Sequence, residues 1–262
     1  MPKLRAISAS FKHQFLHFIA DPQWLIPNVI LPFMITMVAL IMFQGQQGGN
    51  FVLYAVLGGG MMSMWGNTLY SSGWSINFDR WNGTFEEIIA TPSPLVWIIA
   101  GRSVWNALVG IVNGLFILVI AVLFFDADLS LKDPLLFFIA FFATLLSLSM
   151  LGMLFCSSFV LTRQAGVLTN GLEYPIYVGT GTMFPIAVLP WWTNPLSLSM
   201  GPTWGIDAIR YAALEDYEGF DVGYWGDIGI MLAISFIYLA IAFYLFGVVE
   251  RKVRRDGSMV RY

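Results

Sequence analysis

The side chains of this sequence that could do acid–base or metal chemistry are few and scattered. His13 and His17 are its two histidines, four residues apart. That is metal-ligand spacing on a helix, but the intervening Glu of H-E-x-x-H and any further ligand are missing, so the pair reads as part of a polar helix face. The single cysteine, Cys156, lies in an apolar run and has no intrachain partner for a disulfide. No G-x-x-x-x-G-K-[ST] run occurs, so the chain lacks the usual phosphate cradle. An intramembrane protease or acyl transferase would need a nucleophile and a base facing each other, and both histidines lie near the N-terminus, outside the apolar runs. Glu173 stands within such a run, between Asn170 and Pro175. A carboxylate at membrane depth is costly and marks a functional site by default. Glu173 either serves gating or passage of a substrate, or hydrogen-bonds a neighbouring helix or the backbone freed by Pro175. That proline removes the helical hydrogen bond to Gly171 and predicts a kink or hinge. A channel would need a polar ring along a pore-lining helix, for which Glu173 alone is thin support.

The elements that must position these residues follow from composition. Of 262 residues, 58% are hydrophobic and 11% charged, whereas charged residues approach a quarter of an ordinary soluble domain. The solvent is therefore lipid. A helix that satisfies its own backbone crosses about 30 Å of hydrocarbon in roughly 20 apolar residues. Apolar runs predict spans at 24–43, 51–74, 95–125, 134–160, 165–184 and 227–249, an all-α membrane protein of six transmembrane helices with no soluble catalytic domain. Ser93-Pro94 and Asp133-Pro134 each offer an N-cap followed by proline at the first helical position. The first 20 residues do not read as a cleavable leader. Leu4, Ile7, Phe11, Phe15 and Phe18 recur at steps of three and four, opposite Arg5, Ser8 and Lys12, which predicts an amphipathic helix over 1–20 lying on the membrane surface. Its alternative is a helix folded back onto the spans.

Placing the N-terminus inside puts Lys3, Arg5, Lys12, Arg80, Arg102, Arg163, Arg251, Lys252, Arg254, Arg255 and Arg261 at the cytoplasmic side, and only Lys132 and Arg210 outside. Such a bias predicts an even number of spans with both termini cytoplasmic. Arg102, two turns into the third span, is read as snorkelling to the inner head groups. Asn106 and Asn113 share a face of that span with Gly110 and Gly114 close by, and with Gly58–Gly60 of the second span they predict close helix packing.

Two segments carry the functional reading. In the internal loop, Thr84 followed by Glu87 is a capping-box pattern. Phe85, Ile88 and Ile89 then form an apolar stripe beside Glu86 and Glu87, and Pro92 closes the segment. This predicts a helix of about two turns, serving either as a handle for a soluble partner or as a turn packed on its own membrane domain. The region 185–226 is interrupted by Pro185, Pro190, Pro195 and Pro202, yet is apolar in its middle, which predicts a re-entrant outer segment. Trp191 and Trp192 are read as head-group anchors.

The run Asp79-Arg80-Trp81-Asn82-Gly83-Thr84-Phe85-Glu86-Glu87-Ile88-Ile89-Ala90-Thr91-Pro92, with Gly101-Arg102 following, resembles the cytoplasmic segment of ABC-2 type transporter permeases. Phe184-Pro185-Ile186-Ala187-Val188-Leu189-Pro190-Trp191-Trp192, then Asn194-Pro195-Leu196 and Thr203 to Arg210, resembles that family's signature before its last span. The resemblance spans essentially the whole chain. It implies that 79–92 is a coupling helix docking on an ATPase through Gly83, Thr84, Phe85, Glu86, Glu87, Ile88, Thr91 and Pro92. It also implies two permease copies paired with two ATPase (nucleotide-binding) subunits in the cell (inner) membrane. This chain would hold no cofactor and bind no nucleic acid, with ATP and Mg on the partner subunit. The expected activity is export of a hydrophobic drug-like or lipid-like substrate, with a polysaccharide or lipid-linked glycan as the alternative. Glu173, Pro175, Phe184 and Pro185 are the candidate translocation or gate residues.

Overall fold

Apolar runs in a low-dielectric solvent become helices because every backbone N–H and C=O must then be satisfied within the segment. The computed structural model describes residues 2–20, 30, 33–34, 36–38, 41, 50–68, 74–125, 131–160, 171, 175–182, 186, 189–215, 217 and 219–256. Among them all regular structure is helical: α1 (Pro2–Ala20), α2 (Asn50–Asn67), α3 (Trp74–Trp81), α4 (Phe85–Ala90), α5 (Leu95–Phe125), α6 (Pro134–Val160), α7 (Asn194–Leu198), α8 (Gly201–Ala213) and α9 (Gly223–Asp256). Leu95–Leu123, Pro134–Phe159 and Gly223–Lys252 are each long and apolar enough to cross a membrane. Most of the spans expected at 24–43 and at 165–184, together with Glu173, Phe184 and Pro185, lie outside the described residues. Pro175 opens a short helical stretch over 175–179.

Several boundaries differ from expectation. The last long helix starts at Gly223 rather than 227 and runs on to Asp256. Asp79, Arg80 and Trp81 belong to α3, not to the short helix expected over 79–92. A left-handed Gly83, at φ 71°, separates the two, a conformation glycine adopts without steric cost. At the start of α6 the expectation holds: Asp133 Oδ1 accepts the N–H of Leu136 at 3.2 Å, with Pro134 as the first helical residue. The start of α5 is different, for the N–H of Leu95 donates to the Glu250 carboxylate of α9.

The core has two parts. At one end, α8 is wedged against α6 and α9, with Ile206, Ala208, Ile209 and Ala212 buried against Leu148 and Met231. Its last carbonyls are not orphaned: Ala212 O accepts the N–H of Asp133 at 2.9 Å and Ala213 O that of Lys132 at 3.3 Å. At the other end, Ile76, Phe85, Leu95, Ile99, Cys156, Phe246 and Val249 form a second cluster. Between these ends α2 packs along α5, where a Cβ on Gly60 would stand 3.9 Å from the Gly114 Cα and one on Gly110 3.4 Å from Met64. Asn67 Nδ2 donates to the Asn106 carbonyl across the same contact. Small residues and amides thus serve helix packing here, as their spacing predicts.

The fit of α8 generates a test. A Cβ on Gly205 would stand 2.2 Å from Thr144 Oγ1 and 2.8 Å from Met231 Sδ, and neither backbone can retreat easily from a three-helix contact. Gly205→Ala should cost about 1–3 kcal/mol through overpacking and lower the melting temperature of the detergent-solubilised protein. Gly247→Ala on α9, with nothing within 4 Å of the added carbon, should be neutral or slightly stabilising.

Candidate functional site

The segment from Trp74 to Pro94 forms a knot of short elements beneath α5. α3 presents Ile76 to the core, at 2% exposure, and Trp81 outward, at 72%. The chain turns at Asn82–Gly83, where the N–H of Thr84 donates to the Asp79 carbonyl at 2.9 Å. The capping box expected from Thr84 and Glu87 does not form. Thr84 has helical backbone angles, and its hydroxyl donates back to the Asp79 carbonyl at 3.3 Å instead. One backbone carbonyl of α3 therefore holds the start of α4 twice.

α4 turns its apolar side inward. Phe85 is buried among Ile76, Leu95, Val96 and Ile99, with Ile88 and Ile89 packed beside it. The guanidinium of Arg80 lies 5.2 Å from the Phe85 ring centroid, and burial lowers its pKa from the ordinary arginine value. Glu86, Glu87, Ala90, Thr91 and Pro92 are exposed. In this chain the stripe of Phe85, Ile88 and Ile89 is the seat of α4, and the carboxylates form its outward face.

Beneath α4 lies an ion pair that the sequence does not announce. Arg102 Nη1 donates to Asp79 Oδ2 at 2.6 Å and Nη2 to Oδ1 at 3.2 Å, with the side chains 4% and 9% exposed. Arg102 does not snorkel: its guanidinium turns onto α3, where Nη1 also faces the Ser75 carbonyl at 3.4 Å. An Arg–carboxylate fork of this geometry is the form of buried ion pair whose Coulomb gain can offset desolvation. A polar residue of α3 and a charge seven residues past the start of α5 were the available signals, but neither specifies a partner.

α1 covers this assembly. It crosses α5 at Gly101, where a Cβ would stand 2.4 Å from the Ile7 carbonyl, and Ser10 Oγ donates to the Ile98 carbonyl at 2.7 Å. Phe11, Phe15 and Phe18 surround Trp105 edge-on, at 5.1–5.8 Å between centroids. A cavity of about 100 Å³ remains between α1 and the ion pair, lined by His13, His17, Ser75, Phe78, Asn82 and Thr84 among others. Among the described residues no metal-type cluster occurs, and the two imidazoles stack at 6.4 Å rather than converge. Desolvation first, and then the Arg102 charge, lower the His13 pKa from its ordinary 6.5.

Toward the other end of the long helices, Arg210 of α8 is buried and donates to the Thr182 carbonyl at 2.9 Å, closing the end of the short helical stretch that begins at Pro175. Trp191 and Trp192, in a 3-10 turn before α7, are 82% and 67% exposed.

The chain, helical throughout its described regular structure, with several apolar candidate crossings, a short helix seated beneath them and broken helices before the last, matches one family model, that of ABC-2 type transporters, over residues 5–214. The chain is an ABC-2 type transporter membrane domain. No curated protein matches it. As an ABC-2 permease it is a non-catalytic transmembrane subunit, and such permeases generally pair with nucleotide-binding ATPase subunits, to which ATP binding belongs. The matched region includes α4, the Asp79–Arg102 pair and α8, while α9 lies beyond it.

Two measurements test the permease's ion-paired junction. Removing either partner strands a buried charge and should cost about 3–5 kcal/mol. Asp79→Leu with Arg102→Met together should therefore cost less than the sum of the two single changes, read as melting temperatures in a double-mutant cycle. Proton NMR titration should place His13 below 6.5, and Arg102→Gln should move it upward, because a repelling cation is lost and Asp79 is freed.

Proposed function

We propose that this permease is the membrane half of an ATP-driven exporter and that α4 is its coupling helix, with two copies of the chain pairing with two ATPase subunits. The observation that carries this reading is the seating of α4. Its apolar side is committed to its own chain, its exposed side offers Glu86 and Glu87 to a basic groove, and Thr84, just before its first residue, hangs from the carbonyl of the same Asp79 that clamps Arg102 of α5. A push on α4 is thereby delivered to the base of a long apolar helix rather than absorbed by a loop. Alternating access would follow as rigid-body motion of helix bundles. Gly83, Thr84, Thr91 and Pro92 fix the ends of the handle, and Phe85 and Ile88 root it.

In this reading both termini and α4 face the cytoplasm of a cell whose inner membrane holds the chain, and 185–226 forms the outer, re-entrant region. The count of basic residues supports that orientation, and the exposure of Trp191 and Trp192 suits a head-group belt at whichever face they occupy. The substrate is a hydrophobic drug-like or lipid-like compound taken from the cytoplasm or inner leaflet. An interior filled between α2, α6 and α8 by Leu57, Met61, Leu148 and Ile206 favours a path between two copies over one through a single copy. Glu173, Pro175, Phe184 and Pro185 are its proposed gate.

The exposed carboxylates give the test of coupling. Glu86→Lys with Glu87→Lys should leave the fold intact while weakening ATPase association. Loss of central interface contacts commonly costs about 2 kcal/mol, roughly thirtyfold in affinity, read as lost co-purification or lost substrate-stimulated ATP hydrolysis. Normal association and transport would remove α4 from the coupling role. Cysteines at Glu86 and Trp192 should label from opposite faces of sealed vesicles, Cys156 being buried and silent. Labelling from one face would overturn the orientation.

A further inference from the structure

The cavity between α1 and the ion pair differs from the apolar packing around it. Its floor is made by Ser75, Asp79 and Arg102, all buried, and its rim by His13, Asn82 and Thr84, which are exposed. A volume of about 100 Å³ holds roughly three waters at about 30 Å³ each, or one tetrahedral oxyanion. A guanidinium presents two edges to bidentate acceptors. On Arg102 the edge of Nη1 and Nη2 is taken by Asp79, and Nη1 also faces the Ser75 carbonyl. Nη2 makes that one bond, and Nε has no acceptor among the described residues. The second edge, Nε with Nη2, thus offers donors that the protein leaves unmet, and a buried donor in that state carries its full desolvation cost.

The rest of the lining also favours an anion. The amides of Gln14 and Asn82 and the imidazole of His13 can each donate a hydrogen bond to a guest. Among the lining residues the one carboxylate is Asp79, committed to Arg102 through both oxygens. A cation entering the cavity therefore finds no charged ligand. The electrostatics agree with the geometry, for at His13 the Arg102 charge outweighs the opposing charge of Asp79. The other charged or titratable groups of the surrounding helices are placed elsewhere or stack within the wall. Arg80 lies against the Phe85 ring and Lys3 over Trp97, while Arg5, Lys12, Glu86 and Glu87 are exposed and outside the lining. His17 stacks on His13 and meets the Phe78 ring edge-on at 4.8 Å.

We propose that this cavity is a phosphate-binding site, in which a phosphate group accepts hydrogen bonds from Arg102 and ties α1 to the turn from which α4 hangs. His13, Gln14 and Asn82 would meet its remaining oxygens. A phospholipid head group and free phosphate share this chemistry. Leu16 and Trp81, each next in the chain to a lining residue, are exposed, as is Lys12. Apolar, aromatic and basic side chains in that mixture suit head-group depth, so a lipid is the expected source. Occupancy favours the protonated form of His13, raising the pKa that burial and Arg102 lower, and binding tightens as the pH falls. The site does not depend on the transported substrate, on the face of the membrane it occupies, or on the coupling role of α4.

The test follows the His13 titration by proton NMR, together with the melting temperature, on the full chain in two settings. In nanodiscs, phosphatidylcholine alone is compared with phosphatidylcholine containing one-third phosphatidylglycerol, and in detergent, chloride is compared with millimolar inorganic phosphate. Both the His13 pKa and the melting temperature should rise with the anionic lipid. A response to lipid alone assigns the site to a head group, and a response to inorganic phosphate extends it to the free ion. No response in either setting would overturn the proposal, leaving the cavity to water. Gln14→Glu, which sets a like charge in the wall, should demand about tenfold more of the anion for the same response. Ser8→Glu puts the same charge on an exposed position of α1 and should leave the response intact. Should Gln14→Glu fail to accumulate, Asn82→Asp adds the charge from the rim. A response that survives the charge in the cavity, or that Ser8→Glu weakens equally, would also overturn the proposal, because the anion would then be acting on the surface of α1.

Discussion

A guanidinium removed from water costs several kcal/mol unless its donors are met by a carboxylate in good geometry. In this permease that requirement is met by Asp79 alone among the described ion pairs. The position of Arg102 on α5 and of Asp79 on α3 are thereby tied together, and much of the surrounding structure inherits the constraint. α3 must end close beneath α5 for the fork to close. The carbonyl of Asp79 then lies where Thr84 can hang from it, and the apolar side of α4 falls onto Ile76 and Ile99. α1 closes the remaining side, because Gly101 leaves room for its backbone one residue before Arg102.

The opposite end of the molecule solves a different problem. α8 is short and broken from its neighbours, so its ends would expose unpaired backbone groups in an apolar setting. The chain at Lys132 and Asp133 meets its last carbonyls, and the absence of a side chain at Gly201 and Gly205 lets α6 and α9 close over its start. Glu250 performs the equivalent service for the first turn of α5 from the far end of α9. One long helix thus ties both ends: its first turns hold α8, and its last turns cap α5 and bury Phe246 and Val249 beside Phe85.

In the proposed reading, this division gives α4 a route to a distant region through packed helices. α5, α6 and α9 are long, apolar and packed, so they transmit displacement better than loops do. An ATPase that moved α4 would move the base of α5 and, through Glu250, the last turns of α9.

The sequence by itself determined what depends on composition and local pattern. Its apolar runs required helices in lipid, Asp133-Pro134 started α6 where a proline and a capping carboxylate must, and the glycines and asparagines of α2 and α5 marked a close helix contact. The runs at 79–92 and 184–210 sufficed for the family, because they are contiguous and need no knowledge of neighbours. What only the tertiary structure decided are the pairings between residues far apart in the chain. Arg102 looked like a snorkelling cation because its partner lies 23 residues earlier on a helix whose existence as a separate element was not evident. Thr84 looked like half of a capping box because Glu87 has the right spacing, yet a nearer acceptor at Asp79 wins its hydroxyl. Phe85 could have faced a partner or its own domain with the same periodicity, and only the presence of Ile76, Leu95 and Ile99 settled which side was apolar. Spacing fixes which residues share a face, and packing fixes what that face meets.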